Sequence, residues 1–199
     1  MHKIVINKNF FQSVSLDLID LIIKINKNKI NIGLVGGYTI KMLLVEFVAL
    51  IKKLKVQKYI HFYLLDERNT NNLNRNDSSL KKILKNSIHY KVFSFNFQKL
   101  ENNYTNNVHT DLNIISFAKD CHIASIKKEF FNDTIFHSNY YKIIPKKIFN
   151  DFERCTVTFK YLNKCKNNLV ILNDIKRKYC LQKIKKLKVA YIYLNHEIV

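Results

Sequence analysis

Apolar positions along the chain fall into two periods that take turns. Met1 to Asn7 alternates weakly through Ile4 and Ile6, which predicts an edge strand. Phe10, Val14, Leu18, Leu21, Ile22 and Ile25 then recur at helical spacing. After a polar turn at Asn26 to Lys29, Ile32 to Val35 is an apolar run too short for a helix, suited to a buried strand. Gly36-Gly37 breaks it, and a helical face follows at Leu43, Phe47, Leu50, Ile51 and Leu54. Lys52 to Lys58 is a basic connector. Tyr59 to Leu65 predicts a second buried strand, ending abruptly at Asp66-Glu67-Arg68. Beyond the polar loop Asn69 to Asn76, Asp77 or Ser78 is placed to cap a short helix through Leu80, Ile83 and Leu84.

The second half repeats the theme less cleanly. Val92 to Phe97 alternates as a third strand, and Leu100 to Thr110 is polar and too short to hold a good helix. Leu112 to Phe117 predicts a fourth strand. Lys127 to Asn150 is the least regular stretch and holds the only proline, Pro145. Cys155 to Phe159 alternates as a strand, Leu169 to Leu172 reads as a buried one, Lys176 to Lys186 as a very basic helix, and Val189 to Leu194 as the last strand. Strands alternating with helices predict an α/β fold: a doubly wound, mostly parallel sheet with helices on both faces, a Rossmann-like three-layer arrangement. At 199 residues the simplest organisation is a single domain over 1–199.

Such sheets bind ligands at the carboxyl ends of their strands. Three predicted strand ends carry polar residues: Gly36-Gly37-Tyr38-Thr39, Asp66-Glu67-Arg68 and Asp120-Cys121-His122. The first also opens a helix, whose free N–H groups favour an anion such as phosphate. Neither the dinucleotide fingerprint nor a P-loop is present there.

Composition changes the picture mainly by exclusion. The formal charge of +19 suggests a polyanion partner, but only Arg68, Arg75, Arg154 and Arg177 of the 34 basic residues are arginine, leaving 34 − 4 = 30 lysines. Asn, Ile, Tyr and Phe abound while Gly is 3, Pro 1 and Trp 0, the signature of an A/T-rich genome, which explains the charge without a ligand. Lysine is also a poor base reader, so no specific nucleic acid is expected. No apolar run approaches membrane-spanning length, and Asp17 and Asp20 interrupt the first helix, so neither a membrane segment nor a signal peptide is expected. Cys121, Cys155, Cys165 and Cys180 form no Cys-x-x-Cys pair. Free thiols in a reducing cytoplasm, with no disulfide and no metal, are the expectation.

Taken in order, these motifs resemble the 6-phosphogluconolactonase family, within the wider group that includes glucosamine-6-phosphate deaminases. The family pattern Gly-Gly-Ser-Thr-Pro is matched by Gly36-Gly37-Tyr38-Thr39-Ile40 and its Asp-Glu-Arg by Asp66-Glu67-Arg68, with Asn76 opening the next helix. Asp111-Leu112 follows, then Asp120-Cys121-His122-Ile123-Ala124-Ser125 for Asp-Gly-His-x-Ala-Ser. Arg154-Cys155-Thr156-Val157-Thr158 with Asn163 stands for Arg-x-Thr-x-Thr, and Asn173-Asp174-Ile175-Lys176 for Gly-x-x-Lys. The match runs from Ile30 to about Lys183. Asp-Glu-Arg favours the lactonase branch over the deaminases, whose motif is Asp-Glu-Tyr. The departures are Tyr38 for serine, Ile40 for proline, Ser116-Phe117-Ala118 for Gly-x-Gly, Cys121 for the glycine before histidine, Asn173 for a glycine, and Ser94 where the family has an arginine. Side chains at former glycines matter wherever the backbone needs positive φ.

The resemblance implies a cytoplasmic, monomeric hydrolase that opens 6-phosphoglucono-δ-lactone without metal or organic cofactor. It assigns His122 as general base with Asp120 behind it, and Gly36, Gly37, Thr39, Asp66, Arg68, Arg154 and Lys176 to substrate binding. Loop N–H groups near Ser116 to Cys121 are the expected oxyanion donors. The residues support these roles on their own terms. An imidazole can take a proton from water near neutrality. An arginine retained in a lysine-rich chain suggests that its planar fork is needed. The alternatives are an amino-sugar-phosphate deaminase or isomerase, and a degenerate binder of sugar phosphates.

Overall fold

The computed structural model describes residues 2–6, 8–71, 74–85, 90–97, 109–174, 177–181 and 187–195. Its first half follows the hydrophobic pattern closely: β1 (His2–Ile6), α1 (Phe10–Lys24), β2 (Lys29–Leu34), α2 (Tyr38–Lys53) and β3 (Tyr59–Leu64). α1 buries Phe10, Val14, Leu18, Ile19 and Ile22, the face its spacing predicts, and packs that side of the chain against α2. After β4 (Asp66–Arg68) come α3 (Asn76–Leu84) and β5 (Tyr90–Phe93). The second half contributes β6 (Leu112–Ser116), β9 (Asn168–Leu172) and β10 (Tyr191–Asn195) to the main sheet.

That sheet has seven strands in the order β1-β10-β9-β6-β2-β3-β5. Every neighbouring pair in it is parallel. From β2 the chain steps one way, through β3 to β5; from β6 it steps the other way, through β9 to β10. Parallel crossovers are right-handed, so α1, α2 and α3 cover one face and the connections after β6 cover the other. The direction reverses between β2 and β6, which pair at Ile32↔Leu112, Gly33↔Asn113 and Leu34↔Ile114. Such a switch point opens a crevice above the carboxyl ends of the two strands.

The structure departs from expectation in the irregular segment. Lys127 to Asn150 contains a 3-10 turn at Lys128–Phe130, α4 (Ile135–Ser138), β7 (Tyr141–Ile144) and α5 (Lys146–Phe149). β7 builds a second, antiparallel sheet in the order β4-β8-β7, where β8 is Arg154–Val157. The predicted strand Cys155 to Phe159 is therefore shifted, because Phe159 opens α6 (Phe159–Leu162) instead. Of the basic helix predicted from Lys176 to Lys186, the described part is α7 (Lys178–Leu181). Most of the polar stretch Leu100 to Thr110 lies outside the described residues. No helix among the described residues is long and apolar enough to cross a membrane.

The expectation of four free thiols is corrected. Cys121 and Cys180 form a disulfide across a sequence separation of 59, with Cα atoms 5.2 Å apart. Cys155 and Cys165 are free and buried. No spacing motif announces the pair, because the fold makes it: Cys121 follows β6 and Cys180 follows β9, and these strands are sheet neighbours.

Candidate active site at the switch point

The turn after β2 is shaped by what its glycines lack. A Cβ on Gly36 would lie 2.4 Å from Oδ1 of Asn76, whose side chain is buried against the turn. Gly37 sits at φ 111 and ψ 169, a region open essentially to glycine alone, and caps α2. No side chain caps this helix and its first turn has no acidic residue. Its first N–H groups thus have no intrahelical partner and favour an anion. Thr39 is buried in that first turn, while Tyr38, in place of the family's serine, stays 69% exposed and leaves the turn uncrowded.

The Asp66-Glu67-Arg68 strand divides its work. Asp66 Oδ1 accepts the Gly36 N–H at 3.0 Å, and Oδ2 accepts the Ser125 hydroxyl at 3.0 Å. The carboxylate therefore braces the two loops on either side of the switch point. Glu67, fully buried, is the true cap of α3: its Oε1 accepts the N–H of Asn76 and its Oε2 that of Asp77. Burial pushes the Glu67 carboxyl above its usual range, against the pull of these hydrogen bonds and of Arg75. Arg68 is half-buried, gives Nη1 to the Asn74 carbonyl at 3.0 Å, and stands beside Arg154 in the β4–β8 register. At Ser94, where the family has an arginine, Arg75 arrives from elsewhere and donates Nη2 to the Ser94 hydroxyl at 3.0 Å.

The loop after β6 carries His122. It is pinned by the buried side chains of Phe117, Ile123 and Ile126, and by reciprocal backbone bonds between Ile123 and Ile126. Cys121 and Ala124 adopt φ 68 and φ 51. For a residue with a Cβ this left-handed backbone costs about 1–2 kcal/mol. Here the cysteine, where the resembling pattern has glycine before the histidine, matters; Ser116 and Ala118, where that pattern also has glycine, keep negative φ. His122 Nδ1 lies 2.7 Å from Asp120 Oδ1, and Nε2 has no partner among the described residues. Its ring meets Phe149 edge-on at 5.3 Å. Partial burial alone would raise the Asp120 carboxyl, but the charge and hydrogen bonds of His122 outweigh it and hold it below its usual range.

These elements enclose a cleft of about 300 Å³, bordered by Gly36, Gly37, Thr39, Asp66, Arg68, His122 and Arg154, as well as Asn76, Lys119, Asn173 and Arg177. Asp120 stands behind His122 and does not border it. Lys176, expected to bind substrate, lies outside the described residues. Arg177 was not anticipated, although its rarity as one of four arginines was the available signal. Three of the four line the cleft, and Arg75 pairs with Glu67 and Asp77 beside it. Arg154 is only 7% exposed; its guanidinium lies 3.9 Å from the Phe149 ring centre, pairs with Asp151 and leaves Nε without a partner. Arg177 donates Nη1 to the Phe117 carbonyl at 2.6 Å, and its buried Nε makes no hydrogen bond but lies 3.9 Å from Asp174 Oδ2. Of the expected oxyanion donors, the N–H groups of Ala118 and Cys121 bond within the loop, as does that of His122 beside them. Among the described residues no three His, Cys, Asp or Glu side chains are grouped to hold a metal.

No protein-family model matches the sequence, and no curated protein sequence matches it significantly. Solved structures do. The 6-phosphogluconolactonase of Thermotoga maritima superposes with a TM-score of 0.78 at 18% identity, covering 98% of this chain and 99% of that one. The 6-phosphogluconolactonase of Plasmodium vivax gives 0.73 at 17% identity over 98% and 90% of the two chains. A monomeric glucosamine-6-phosphate deaminase gives 0.74 at 14% identity over 99% and 98%. The chain therefore has the fold these enzymes share, over nearly all of its length.

Proposed function

We propose that this protein hydrolyses a phosphorylated sugar lactone, 6-phosphoglucono-δ-lactone, to 6-phosphogluconate, acting as a monomeric single-domain enzyme without metal or organic cofactor. The observation that carries the reading is the Asp120–His122 pair at the wall of a cleft lined by Arg68, Arg154 and Arg177. The cleft asks for an anionic ligand, and the histidine offers a base beside it.

The phosphate sits at the uncapped start of α2, against Gly37 and Thr39, with Arg154 supplying charge through its unpartnered Nε. With Nδ1–H donated to ionised Asp120, His122 presents Nε2 as an acceptor. A water gives its proton to Nε2 as its oxygen attacks the lactone carbonyl carbon. The carbonyl electron pair moves onto oxygen, where Lys119 and Arg177 supply positive charge in place of the loop N–H groups that bond internally, while Arg68 holds the bound sugar phosphate. Collapse of the tetrahedral intermediate breaks the ring C–O bond, and His122 returns the proton to the departing ring oxygen. The acid product then loses its own proton to solvent.

The internal use of the Ala118, Cys121 and His122 N–H groups favours one competing reading, a sugar-phosphate binder without turnover. Purified protein assayed for lactone hydrolysis above the spontaneous rate separates the two. Hydrolysis abolished by His122→Asn supports the enzyme; binding of 6-phosphogluconate with no hydrolysis supports the binder. Ammonia release from glucosamine 6-phosphate would move the assignment to the deaminase chemistry.

A further inference from the structure

We infer that the Cys121–Cys180 disulfide is a positioning crosslink of the cleft, setting the His122 loop against the wall that carries Arg177; this rests on the hydrolase reading above. Three links join the loop after β6 to the turn of α7, and they run in step. The Phe117 carbonyl accepts from Arg177 Nη1 at 2.6 Å, the Lys119 carbonyl accepts from the Tyr179 hydroxyl at 3.0 Å, and Cys121 is bonded to Cys180. Both cysteines are buried, at 1% and 0% exposure.

The covalent link falls on the residue next to His122, one of the two in the loop, with Ala124, that the backbone would not hold unaided. Cys121 occupies φ 68 without being glycine, and such a conformation persists only where its surroundings over-determine it. Rotation of Cys121 toward negative φ would re-aim the following peptide and the His122 ring with it. The crosslink does by covalent restraint what a glycine does by having no side chain. Opening it takes two electrons and two protons: a dithiol attacks one sulfur, the mixed disulfide resolves, and the dithiol departs as its own cyclic disulfide, leaving two thiols.

Dithiothreitol treatment tests this directly. Thiol titration in denaturant should rise from the two free cysteines to all four. With four thiols, kcat for the lactone should fall about 10- to 100-fold, the effect of misplacing a base by about 1 Å. KM should change less than about threefold, and the far-UV circular dichroism should be unchanged. Reoxidation should restore turnover. Cys180→Ser should show the lower kcat with or without dithiol. Unchanged kcat in fully reduced wild type would overturn the inference, and so would loss of the dichroism signal, which would make the bond a general staple. If even the oxidised protein fails to hydrolyse the lactone, the hydrolase reading fails separately. The His122 imidazole ¹H–¹³C resonance then decides: a shift on reduction supports the crosslink's role, and an unmoved resonance ends it.

Discussion

Two loops face each other across the switch point, and they meet the same demand by opposite means. The turn after β2 uses Gly36, which leaves room for Asn76, and Gly37, which takes a backbone region closed to other residues. The loop after β6 has no glycine from Phe117 to Ile126, yet it holds positive φ at Cys121 and Ala124. It replaces freedom with restraint: buried Phe117, Ile123 and Ile126, the Asp66–Ser125 hydrogen bond, and the disulfide. A tight loop thus holds positive φ without glycine where tertiary contacts impose the geometry instead. Asp66 couples the two solutions, since one oxygen holds each loop.

In the proposed mechanism the contrast extends to chemistry, with the β6 loop supplying the base and the β2 turn the anion site. His122→Asn should therefore lower kcat by about 10²–10⁴ with little change in KM, measured by steady-state kinetics. A raised KM at unchanged kcat would break the division. Between the loops, Arg68→Lys keeps the charge but loses the fork. It should raise KM for the phosphorylated lactone about tenfold, the loss of roughly one charge-assisted hydrogen bond, while the fold stays intact.

Stability sharpens the comparison further. Gly36→Ala forces a Cβ into Asn76, and Gly37→Ala forces one into a closed backbone region; each should cost about 1–3 kcal/mol in urea unfolding. Ala124→Gly relieves φ 51 while removing a buried methyl, and these nearly cancel, leaving a change under about 0.5 kcal/mol. A cost at Ala124 as large as at Gly36 would show that the loops differ less than proposed. The smallest expected effect is on acid stability. Asp120 is held below its ordinary value of 3.8, so its stabilising increment is present above that pH and is lost as pH falls through the lowered value. Asp120→Asn should remove this increment, so acid titration followed by NMR of the loop should show a flatter limb.

Much of this was legible in the sequence, for a physical reason. Where one residue pattern specifies one local structure, as in the buried run Ile32 to Val35 followed by Gly36-Gly37 and the Leu43 to Leu54 stripe, the element and its end are both readable. The same holds for Tyr59 to Leu65 and the polar strand end after it. What stayed hidden depends on partners distant in sequence. Glu67 caps α3 only because β4 folds back beside Asn76, and Asp66 proves to be a brace only when Gly36 and Ser125 converge on it. β7 is a strand because β8 offers it an edge, in a segment with no clear period of its own. The disulfide follows from sheet order rather than spacing. Arg177 was concealed by the lysines around it, although the rarity argument that picks out Arg68 applies to it equally.

The most direct measurement is hydrolysis of freshly prepared 6-phosphoglucono-δ-lactone by the purified, oxidised protein, corrected for the spontaneous reaction and run beside His122→Asn. The expected result is turnover well above background that His122→Asn reduces at least a hundredfold. Equal rates in wild type and His122→Asn, or no rate above background while 6-phosphogluconate still binds, would contradict the assignment of this cleft as a lactonase site.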